Sequence, residues 1–512
     1  MATTTSPFNL AEYFVGDDCL ARIGEQTAIE FRGREVSYNG LRSQVEYWAR
    51  RLDDRGVENG DRVALLLYDS PHLIASFLGA GYLGAVAVPI NTFLAPEDIA
   101  FIIADSGAKL VLAERVLADK LAAEQTAPST AIIVVDDDYD AKPSNGVPLA
   151  ATTKASPAFL LYTSGSTGTP KGVLHLHGSM RATVETYAQA ILRLTESDRV
   201  FSASRLFFAY GLGNSLSFPL AAGATVILEA ERPSPSHVAR ILANNRPTVF
   251  FGVPALYRAL LDLKAKGETF DASSVRMWVS AGEALPAAIF NEWLREVEQP
   301  ILDGIGSTEM LHIFISNTPD DARAGSSGRP VPGYSVKLTD DAGNELSGEA
   351  TGNLWVRGDS ATAGYWGRPD LTADTIRDGW VRTGDVYTRD AGGYYSHVGR
   401  SDDCFKVQGL WVSPIEVESA LLSHPSVMEA AVVEATDASG LATAHAFAVI
   451  RPGSDRPALA AELREHVASQ LPRFKVPSQF EFIDSLPRTS TGKIQRYKLR
   501  RPRRVGGIEG EK

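Results

Sequence analysis

The sequence predicts an α/β fold, with a large N-terminal domain of βαβ-type subdomains, a small β-rich subdomain and a small α+β C-terminal domain. Three observations lead to this fold class. Helical and strand patterns alternate through the first half of the chain, as they do in parallel βαβ units. From about Gly325, short strand patterns with frequent glycine and proline replace this alternation. After residues 399–402, a compact α+β pattern begins.

Each element is predicted from its hydrophobic period. Helical spacing of apolar residues covers 38–55, 71–83 and 96–106. Short apolar runs, typical of buried strands, cover 62–68, 85–89 and 109–113. The alternation repeats from 183 to 303, with strand candidates at 200–204, 225–228, 248–253 and 276–280. The β-rich subdomain, at about 325–399, has strand candidates at 334–339 and 352–357, and the last segment has helical patterns near 414–423 and 458–470.

Composition and charge limit the function classes. Hydrophobic residues make up 44% of the 512 residues and charged residues 22%, the balance of a soluble globular protein. A net charge of −12 argues against nucleic acid as a partner, because phosphate neutralisation needs a basic surface. Residues 488–504 are the local exception, with eight basic residues and no acidic one. They form either a solvated tail or a rim that attracts phosphate.

We expect a cytoplasmic protein without a membrane partner. The two cysteines, Cys19 and Cys404, do not suggest a disulfide framework and suit a reducing compartment. Acidic neighbours of Cys404 oppose thiolate formation, so we interpret this residue as a small apolar filler. The N-terminus lacks the basic and apolar regions of a signal peptide. The uncharged stretch 73–90 contains glycines and a proline, and predicts a buried helix, a turn and a buried strand.

The most informative segment runs from Tyr162 to Gly172, directly after an apolar run that predicts a buried strand. Glycine N–H groups, hydroxyls and an ammonium group together favour binding of an oligophosphate. The alternative is a flexible Ser/Gly linker. The segment is not a Walker P-loop, because Gly172 and not a hydroxyl residue follows Lys171. Its candidate phosphate-binding residues are Thr163, Ser164, Gly165, Ser166, Thr167, Gly168 and Lys171.

This segment resembles the signature loop of the adenylate-forming superfamily, which contains acyl- and aryl-CoA ligases, carrier-loading adenylation domains and luciferases. Further motifs follow in the family order across nearly the whole chain. The resemblance implies an N-terminal adenylation domain at 1–399, a hinge at 400–404 and a mobile C-terminal domain at 405–512. It also implies ATP, Mg²⁺ and coenzyme A, the last as a substrate.

The resemblance assigns roles in the first half-reaction, in which a carboxylate attacks the α-phosphate of ATP. Lys493, in a Thr-Gly-Lys context, resembles the catalytic lysine that bridges the carboxylate and the α-phosphate. Thr308 is expected to contact the α-phosphate, and Glu309 to ligate magnesium. Asp385 is expected to accept hydrogen bonds from both ribose hydroxyls, and Arg400 is expected beside it on the ribose and phosphate side. The further nucleotide-binding candidates are Glu283, Asp303 and Gly304.

In the second half-reaction a thiol attacks the acyl-adenylate. Asp402 matches the family's hinge position, and residues 405–414 resemble the loop that lines the pantetheine tunnel. Within that loop, Lys406, Gly409 and Trp411 are the candidate residues. Arg473 and Lys475 either meet the phosphates of coenzyme A or are simply solvated.

The acid-binding residues are predicted from two runs, 205–214 and 306–314, which closely resemble those of benzoate-CoA ligases. An aromatic and aliphatic slot suits a flat ring. One of Phe207 and Phe208 is expected in the core, and His312 either senses a ring substituent or is a hydrogen-bonded core histidine. The substrate-binding candidates are Phe208, Ala209, Tyr210, Ala281, Gly282, Gly306, His312 and Ile313, with Gly304 beside them.

The sequence therefore predicts an ATP-dependent aryl-CoA ligase, monomeric or homodimeric, that activates benzoate or a closely related aromatic acid. One alternative is an aryl-adenylating enzyme that loads a carrier-protein phosphopantetheine, although no fused carrier domain is expected after Arg504. Others are a silent nucleotide-binding protein and a monooxygenase of luciferase type, since fold alone does not fix function.

Overall fold

The structure is a computed structural model that describes residues 6–123, 130–136, 146–164, 169–231, 233–436, 441–451, 456–487 and 494–500. The chain forms two compact units. The first contains residues 1–336 and 355–382, and the second contains residues 337–354 and 383–512. The expected hinge residues 400–404 belong to the second unit. Compactness does not show where a chain bends, so the expected domain boundaries stay predictions.

The strands, in chain order, are β1 Thr27–Phe31, β2 Arg34–Ser37, β3 Arg62–Leu66, β4 Val86–Pro89, β5 Leu110–Glu114, β6 Ala131–Val135, β7 Pro157–Ser164, β8 Pro170–Leu176, β9 Arg199–Ser202, β10 Thr225–Leu228, β11 Val249–Gly252, β12 Met277–Ser280, β13 Ile301–Gly306, β14 Ile313–Ser316, β15 Arg329–Pro330, β16 Ser335–Thr339, β17 Glu345–Leu346, β18 Ala350–Arg357, β19 Gly364–Tyr365, β20 Ile376–Arg377, β21 Trp380–Arg389, β22 Tyr395–Arg400, β23 Phe405–Val407, β24 Leu410–Val412, β25 Val427–Thr436, β26 Ala442–Ile450 and β27 Gln479–Phe482.

The α-helices are α1 Leu10–Val15, α2 Asp17–Ile23, α3 Tyr38–Asp53, α4 Pro71–Tyr82, α5 Pro96–Ser106, α6 Arg115–Ala123, α7 His177–Thr183, α8 Ala209–Leu212, α9 Phe218–Ala222, α10 Pro235–Asn245, α11 Pro254–Ala265, α12 Ala287–Val297, α13 Pro369–Thr375, α14 Pro414–Leu422 and α15 Arg456–Gln470. Val184–Leu192 and Gly213–Ser217 are π-helical, and Arg473–Lys475 and Arg496–Lys498 are short 3₁₀ turns.

Two mostly parallel sheets form the first unit. One has the order β15-β14-β13-β12-β11-β9-β10-β1-β2, and the other β19-β8-β7-β4-β3-β5-β6. All neighbours from β13 to β1 in the first sheet are parallel, as are β4, β3, β5 and β6 in the second. Helices α10, α11 and α12 cover the first sheet through a core that includes Trp278 and Trp293. The predicted parallel βαβ architecture is confirmed.

Local signals explain the helix bounds. Helix α4 begins at Pro71 after Ser70, whose hydroxyl accepts the N–H of Leu73, and α5 ends before Gly107, which is left-handed at φ +60°. The predicted helix 96–106 is found with the same bounds. The uncharged stretch 73–90 is α4, a turn at Gly84 with φ +72°, and the buried strand β4, as predicted. Among the described helices, none is long and apolar enough to cross a membrane.

The second unit contains the C-terminal α+β layer predicted from the sequence. Strands β25, β26 and β27 form its sheet, and α14 and α15 cover that sheet through a core that includes Val417, Leu421 and Leu463. A six-stranded sheet of order β17-β16-β18-β21-β20, with β22 paired to β21, has most of its residues in this unit. Strands β23 and β24 form a separate hairpin.

Candidate active site

Four neighbouring parallel strands bring the predicted acid-binding segments to one edge of the nine-stranded sheet. The strands lie in the order β13-β12-β11-β9, so their carboxyl ends share an edge. Residues 203–210 follow β9, residues 281–283 follow β12, and Thr308 follows β13 closely. Ligands of open α/β sheets bind at this edge. The fold thus brings together segments that are about 100 residues apart in the sequence.

Tyr210 connects these segments. Its hydroxyl donates to the backbone carbonyl of Gly252, the last residue of β11, at 3.3 Å. It also donates to the carbonyl of Val279 in β12, at 3.4 Å. Burial raises its pKa well above the usual tyrosine value, so the hydroxyl remains a donor. Ala209 and Ile313, both predicted from the sequence, are buried. Phe207 is 4% exposed and Phe208 is 43% exposed, so one of the two phenylalanines is core, as expected.

Two glycines near these side chains allow close packing, and a third has open space beside it. A Cβ on Gly304 would lie 2.9 Å from Ile313 Cγ2, and one on Gly306 would lie 2.6 Å from the carbonyl oxygen of His312. Gly282 adopts φ +90°, and a Cβ there would have its nearest neighbour, Val253 Cγ1, at 4.0 Å. Ala281, before it, is buried. Any larger residue at 304 or 306 would displace the neighbouring strand.

His312 lies in an aromatic cage. Its Nε2 is 3.0 Å from Asn214 Oδ1, and its ring centre lies 4.4 Å from that of Phe218, 5.3 Å from Tyr187 and 5.5 Å from Tyr210. Burial lowers the pKa of His312 to about 3, so the imidazole is neutral near pH 7. Asn214 was not predicted as a site residue, because a buried amide at this point has no recognisable pattern. The imidazole is therefore oriented by a fixed hydrogen bond within the protein.

A second cluster joins Lys171 of the phosphate segment to Glu309. Lys171 Nζ donates to the Tyr365 hydroxyl at 3.1 Å, and that hydroxyl donates to Glu309 Oε1 at 2.6 Å. Lys171 also lies 4.0 Å from Glu309 Oε1 and 4.2 Å from the centre of the Tyr365 ring. Strand β19 carries Tyr365 and pairs with β8. Tyr365 was not predicted, since an isolated tyrosine carries no chemical signature.

The backbone around Thr308 and Glu309 is held from two sides. The carbonyl of Thr308 contacts His175 Nε2 at 2.8 Å, and the carbonyl of Glu309 accepts the N–H of Thr362 at 2.7 Å. Burial lowers the pKa of His175 to about 4, so a neutral ring donates this hydrogen bond near pH 7. These contacts fix the main chain that presents the Thr308 hydroxyl and the Glu309 carboxylate.

Asp303 is a buried carboxyl group at the end of β13. Burial raises its pKa well above the usual range, although N–H groups of Leu285 and Gly304 and hydroxyls of Ser280 and Ser327 act in the opposite direction. Its backbone carbonyl accepts from Asn317 Nδ2 at 3.0 Å. Glu283, by contrast, is exposed.

The second unit carries the predicted ribose pair. Asp385 lies opposite Arg400 in the β21–β22 ladder, and Arg400 Nη1 donates to Asp385 Oδ1 at 3.1 Å and to the carbonyl of Thr383 at 3.0 Å. The imidazole of His397 also lies near Asp385, with its Nε2 3.7 Å from the same carboxylate oxygen. The structure therefore brings the two predicted residues together.

The predicted pantetheine loop is the β23–β24 hairpin. Its turn residues Gln408 and Gly409 have φ of +54° and +80°, as a two-residue hairpin turn requires. Lys406 lies opposite Trp411, 4.5 Å from the centre of its ring, and donates to Asp341 Oδ2 at 2.5 Å. Asp402 precedes the hairpin, and its carbonyl accepts from Arg500 Nη2 at 2.6 Å.

Two other sequence interpretations concern the second unit. Lys475 Nζ donates to Glu416 Oε2 at 2.6 Å, and the lysine side chain is only 17% exposed, so it is neither freely solvated nor unpaired. Cys404 is buried, and burial raises the pKa of its thiol to about 12. The interpretation of Cys404 as an apolar filler agrees with this environment.

Several predicted residues lie outside the part of the chain that the structure describes. They are Gly165, Ser166, Thr167, Gly168 and Lys493, together with the side chain of Ser164. The ends of the phosphate segment are described: Thr163 lies opposite Lys171 in the antiparallel β7–β8 pair. Magnesium commonly binds one or two carboxylates together with the phosphates of its nucleotide. The part-buried Glu309 carboxylate is compatible with such a site.

Comparison with known proteins identifies what the chain resembles. The AMP-binding enzyme family model matches residues 17–366, and the AMP-binding enzyme C-terminal domain model matches residues 416–493. Benzoate–CoA ligase of Thauera aromatica is 42% identical over 508 residues, covering 96% of each chain. A 4-hydroxybenzoate–CoA/benzoate–CoA ligase of Rhodopseudomonas palustris is 40% identical and covers 98% of this chain and 95% of its own. A p-hydroxybenzoic acid–AMP ligase of Mycobacterium tuberculosis is 35% identical, covering 88% of this chain and 63% of its own.

Solved structures agree with these relatives. An anthranilate CoA ligase in complex with anthranoyl-AMP has a TM-score of 0.87 and 36% identity, covering 96% of each chain. A benzoate CoA ligase from Burkholderia xenovorans has a TM-score of 0.84 and 39% identity, covering 96% of this chain and 100% of its own.

Proposed function

Because this chain belongs to the AMP-binding enzyme family and is an ATP-dependent, AMP-forming aryl-CoA ligase, we propose that its acid is benzoate or a close analogue. The observation that carries the proposal is the set of small and apolar residues near Tyr210, which we take to line the acid slot. Ala209 and Ile313 are buried and would be its apolar walls, and a Cβ on Gly282 would have no neighbour closer than 4.0 Å, which leaves room for a planar ring. A pocket of this kind favours a flat aromatic acid over a flexible aliphatic one.

The reaction has two steps. First, a carboxylate oxygen attacks the α-phosphorus of ATP, the bond to the β-phosphate oxygen breaks, and aryl-AMP and pyrophosphate form. Second, the sulfur of coenzyme A attacks the acyl carbon, the acyl–phosphate bond breaks, the thiol proton goes to solvent, and AMP leaves. Preorganised charge is the main contribution that a protein makes to phosphoryl and nucleotidyl transfer.

The proposed roles rest on the family resemblance, and the contacts within each unit are compatible with them. In the first unit, Lys171 attracts the β- and γ-phosphates, Thr308 contacts the α-phosphate, and Glu309 holds Mg²⁺, which neutralises phosphate charge. The Tyr365 hydroxyl keeps the Lys171 ammonium and the Glu309 carboxylate in fixed places. In the second unit, Asp385 accepts the ribose hydroxyls and is oriented by Arg400. Lys493 is proposed from the resemblance as the catalytic lysine.

Other assignments remain proposals. They are the role of Asp303 in nucleotide binding, that of Lys406, Gly409 and Trp411 in pantetheine binding, and the hinge at Asp402. A cytoplasmic location and a monomeric or homodimeric state also stay predictions. Coenzyme A as the acceptor is supported by the ligases named above, which cover nearly the whole chain.

A second candidate is an enzyme that releases or transfers aryl-AMP without coenzyme A, which the p-hydroxybenzoic acid–AMP ligase relative favours. Pyrophosphate release and aryl-CoA formation should be measured across benzoate, hydroxybenzoates, aminobenzoates, heteroaromatic acids and hexanoate, with and without coenzyme A. We expect benzoate to exceed hexanoate in kcat/KM and to yield benzoyl-CoA. Pyrophosphate release without any thioester would favour the second candidate, and equal use of hexanoate would overturn the aromatic assignment.

A further inference from the structure

A buried ion pair lies between the two sheets of the first unit, outside the residues assigned so far. Asp69 follows β3 of the seven-stranded sheet, and Arg205 follows β9 of the nine-stranded sheet. Their side chains are 5% and 7% exposed, and Arg205 Nη1 lies 3.8 Å from Asp69 Oδ2. The pair therefore joins the carboxyl ends of strands from different sheets.

The strongest contacts of this pair go to the backbone. Both oxygens of Asp69 accept the N–H of Leu206, at 3.2 and 3.3 Å. Arg205 donates through its two terminal nitrogens to the carbonyls of Glu229 and Glu231, which follow β10. The carboxylate thus holds the main chain at the point where the acid-binding run begins, and the guanidinium fixes that point to the next strand.

The run that starts at this point is tightly folded. The N–H of Phe208 donates to the carbonyl of Arg205 at 3.0 Å, and a Cβ on Gly211 would lie only 2.0 Å from that same oxygen. Ala209 and Tyr210 lie inside this turn. Because the Tyr210 hydroxyl is fixed at its far end by Gly252 and Val279, a shift of Leu206 would change how Tyr210 and Ala209 face the slot.

A gain in folding stability does not explain why a charged pair is buried at this position. Burial raises the pKa of Asp69 to about 7, against the effect of Arg205 and of the Leu206 N–H. Buried ion pairs contribute little net stability compared with apolar residues of the same size. The pair is better explained by the direction of its hydrogen bonds, which place one segment of backbone.

We propose that Asp69 and Arg205 are positioning residues that set the shape of the aromatic-acid slot through residues 206–210. The proposal rests on the proposed function, because it assumes that Ala209 and Tyr210 contact the acid. Loss of the pair loosens the slot, so affinity for benzoate falls and para-substituted benzoates are discriminated less. Binding of ATP is unaffected, because Lys171, Thr308 and Glu309 are held by other contacts.

The test compares Asp69→Asn with Asp198→Asn. Asp198 is a matched control: its side chain is 4% exposed and bonded to Arg276 at 2.8 and 2.9 Å, but it lies before β9, at the opposite end of that strand. We expect both variants to lower the melting temperature. We expect only Asp69→Asn to raise the KM for benzoate by about tenfold and to reduce the benzoate to 4-methylbenzoate ratio of kcat/KM by a similar factor.

The KM for ATP should change by less than about twofold in both variants, since ground-state contacts to the nucleotide are kept. Arg205→Lys is the second variant, because it keeps the charge beside Asp69 but cannot reach two carbonyls at once. We expect the same loss of selectivity, to a smaller extent. If Asp69→Asn does not fold, Arg205→Lys alone tests the positioning role of the pair.

Equal effects of Asp69→Asn and Asp198→Asn on benzoate KM would overturn the positioning role, as would unchanged selectivity in Arg205→Lys. Failure of the unmodified protein to release pyrophosphate with any aromatic acid would instead overturn the proposed function. The two failures are distinguishable because the second is observed without any substitution.

Discussion

The hydroxyl of Tyr365 is a single group placed between a cation and an anion. It accepts from Lys171 at 3.1 Å and donates to Glu309 at 2.6 Å. Such bonds to charged groups typically contribute about 1.5–3 kcal/mol each. If Lys171 and Glu309 act on the phosphates and Mg²⁺ as proposed, loss of the hydroxyl loosens the positions of both. The hydroxyl therefore has a role in ATP use that can be measured.

We expect Tyr365→Phe to lower kcat/KM for ATP by about tenfold, equivalent to roughly 1.4 kcal/mol, with little change in the KM for benzoate. Initial rates of pyrophosphate release against ATP at saturating benzoate provide the measurement. Tyr334→Phe is the control, since it removes another buried hydroxyl of the first unit, bonded to Ser360 at 2.7 Å. Equal ATP dependence in both variants would show that Tyr365 has only a structural role.

The proposed catalytic role of Lys493 can be tested by comparing it with another lysine of the same basic tail. The proposal assigns it to the first half-reaction, where a preorganised charge typically contributes about 3–4 kcal/mol. We expect Lys493→Ala to slow benzoyl-AMP formation by at least about 100-fold and to leave thioester formation from supplied benzoyl-AMP largely intact. Lys498→Ala, an exposed lysine of the same tail, should have no such effect. Equal loss in both half-reactions would contradict the assignment.

Lys171 and Glu309 could be predicted from sequence because each lies in a recognisable motif. Tyr365 could not, because its importance depends on a strand pairing that brings it to a lysine 194 positions away. His175 illustrates the same limit. Its neutral ring supports Thr308, 133 positions away, and nothing in its local sequence distinguishes it from any core histidine.

At the scale of elements, the β23–β24 hairpin offers a test of the pantetheine assignment. Gly409 has φ +80° and no neighbouring atom within 4 Å of a Cβ, so alanine there would be strained without a clash. Such strain costs about 1–2 kcal/mol. Gly393, in the turn between β21 and β22, has φ +78° and the same open surroundings, which makes Gly393→Ala a matched control.

We expect Gly409→Ala and Gly393→Ala to lower stability by similar amounts, about 1 kcal/mol each. Only Gly409→Ala should slow single-turnover thioester formation from supplied benzoyl-AMP, because a changed turn would alter the approach of coenzyme A. Unchanged thioester formation in Gly409→Ala would remove the hairpin from the proposed coenzyme A site. Equal slowing in both variants would show a general effect of lowered stability.

The elements also show where sequence patterns fail. The hydrophobic period placed α3, α4 and α5 correctly within two residues, because a capping serine or a proline marks the start of each. It did not predict the π-helical turns Val184–Leu192 and Gly213–Ser217. These turns carry Tyr187 and Asn214, which both contact His312. A π-helical turn depends on packing against residues far away in the sequence, so the local spacing of apolar residues does not predict it.

At the scale of the whole molecule, the sequence predicted a domain boundary near residue 400, which stays a prediction. The second compact unit also contains residues 337–354, although 355–382 belong to the first unit. A chain that crosses between units cannot be recognised from a local change of pattern, since the crossing is defined by strand partners far apart in sequence. The fold class needed only periodicity, and it is confirmed. The hinge needs evidence of movement, and stays a prediction.

Buried ionisable groups determine how stability changes with pH. Burial lowers the pKa of His175 and His177 to about 4 and of His312 to about 3. An unfolded histidine titrates near 6.5, so between about pH 6.5 and 4 the unfolded chain binds one more proton at each of them. Each histidine therefore contributes stability above pH 6.5 that is lost as the pH falls, by about 1.4 kcal/mol per pH unit.

Two aspartates act in the opposite direction. Burial raises the pKa of Asp69 to about 7 and that of Asp303 well above its usual range, so the folded state keeps protons that the unfolded chain releases above about pH 4. Each therefore removes stability as the pH rises. The three histidines therefore make the first unit lose stability as the pH falls from 6.5 to 4.5, and the two aspartates reduce that loss.

Urea unfolding followed by tryptophan fluorescence tests this balance, because six of the seven tryptophans, including the buried Trp48, Trp278 and Trp293, lie in the first unit. His177→Asn is the decisive variant. The Nδ1 of His177 accepts the N–H of Leu10 at 3.0 Å, and an asparagine oxygen at a similar position could accept it without titrating. We expect this variant to reduce the loss of stability between pH 6.5 and 4.5 by about 1.4 kcal/mol per pH unit. A slope that His177→Asn leaves unchanged would show that burial of His177 does not control acid unfolding.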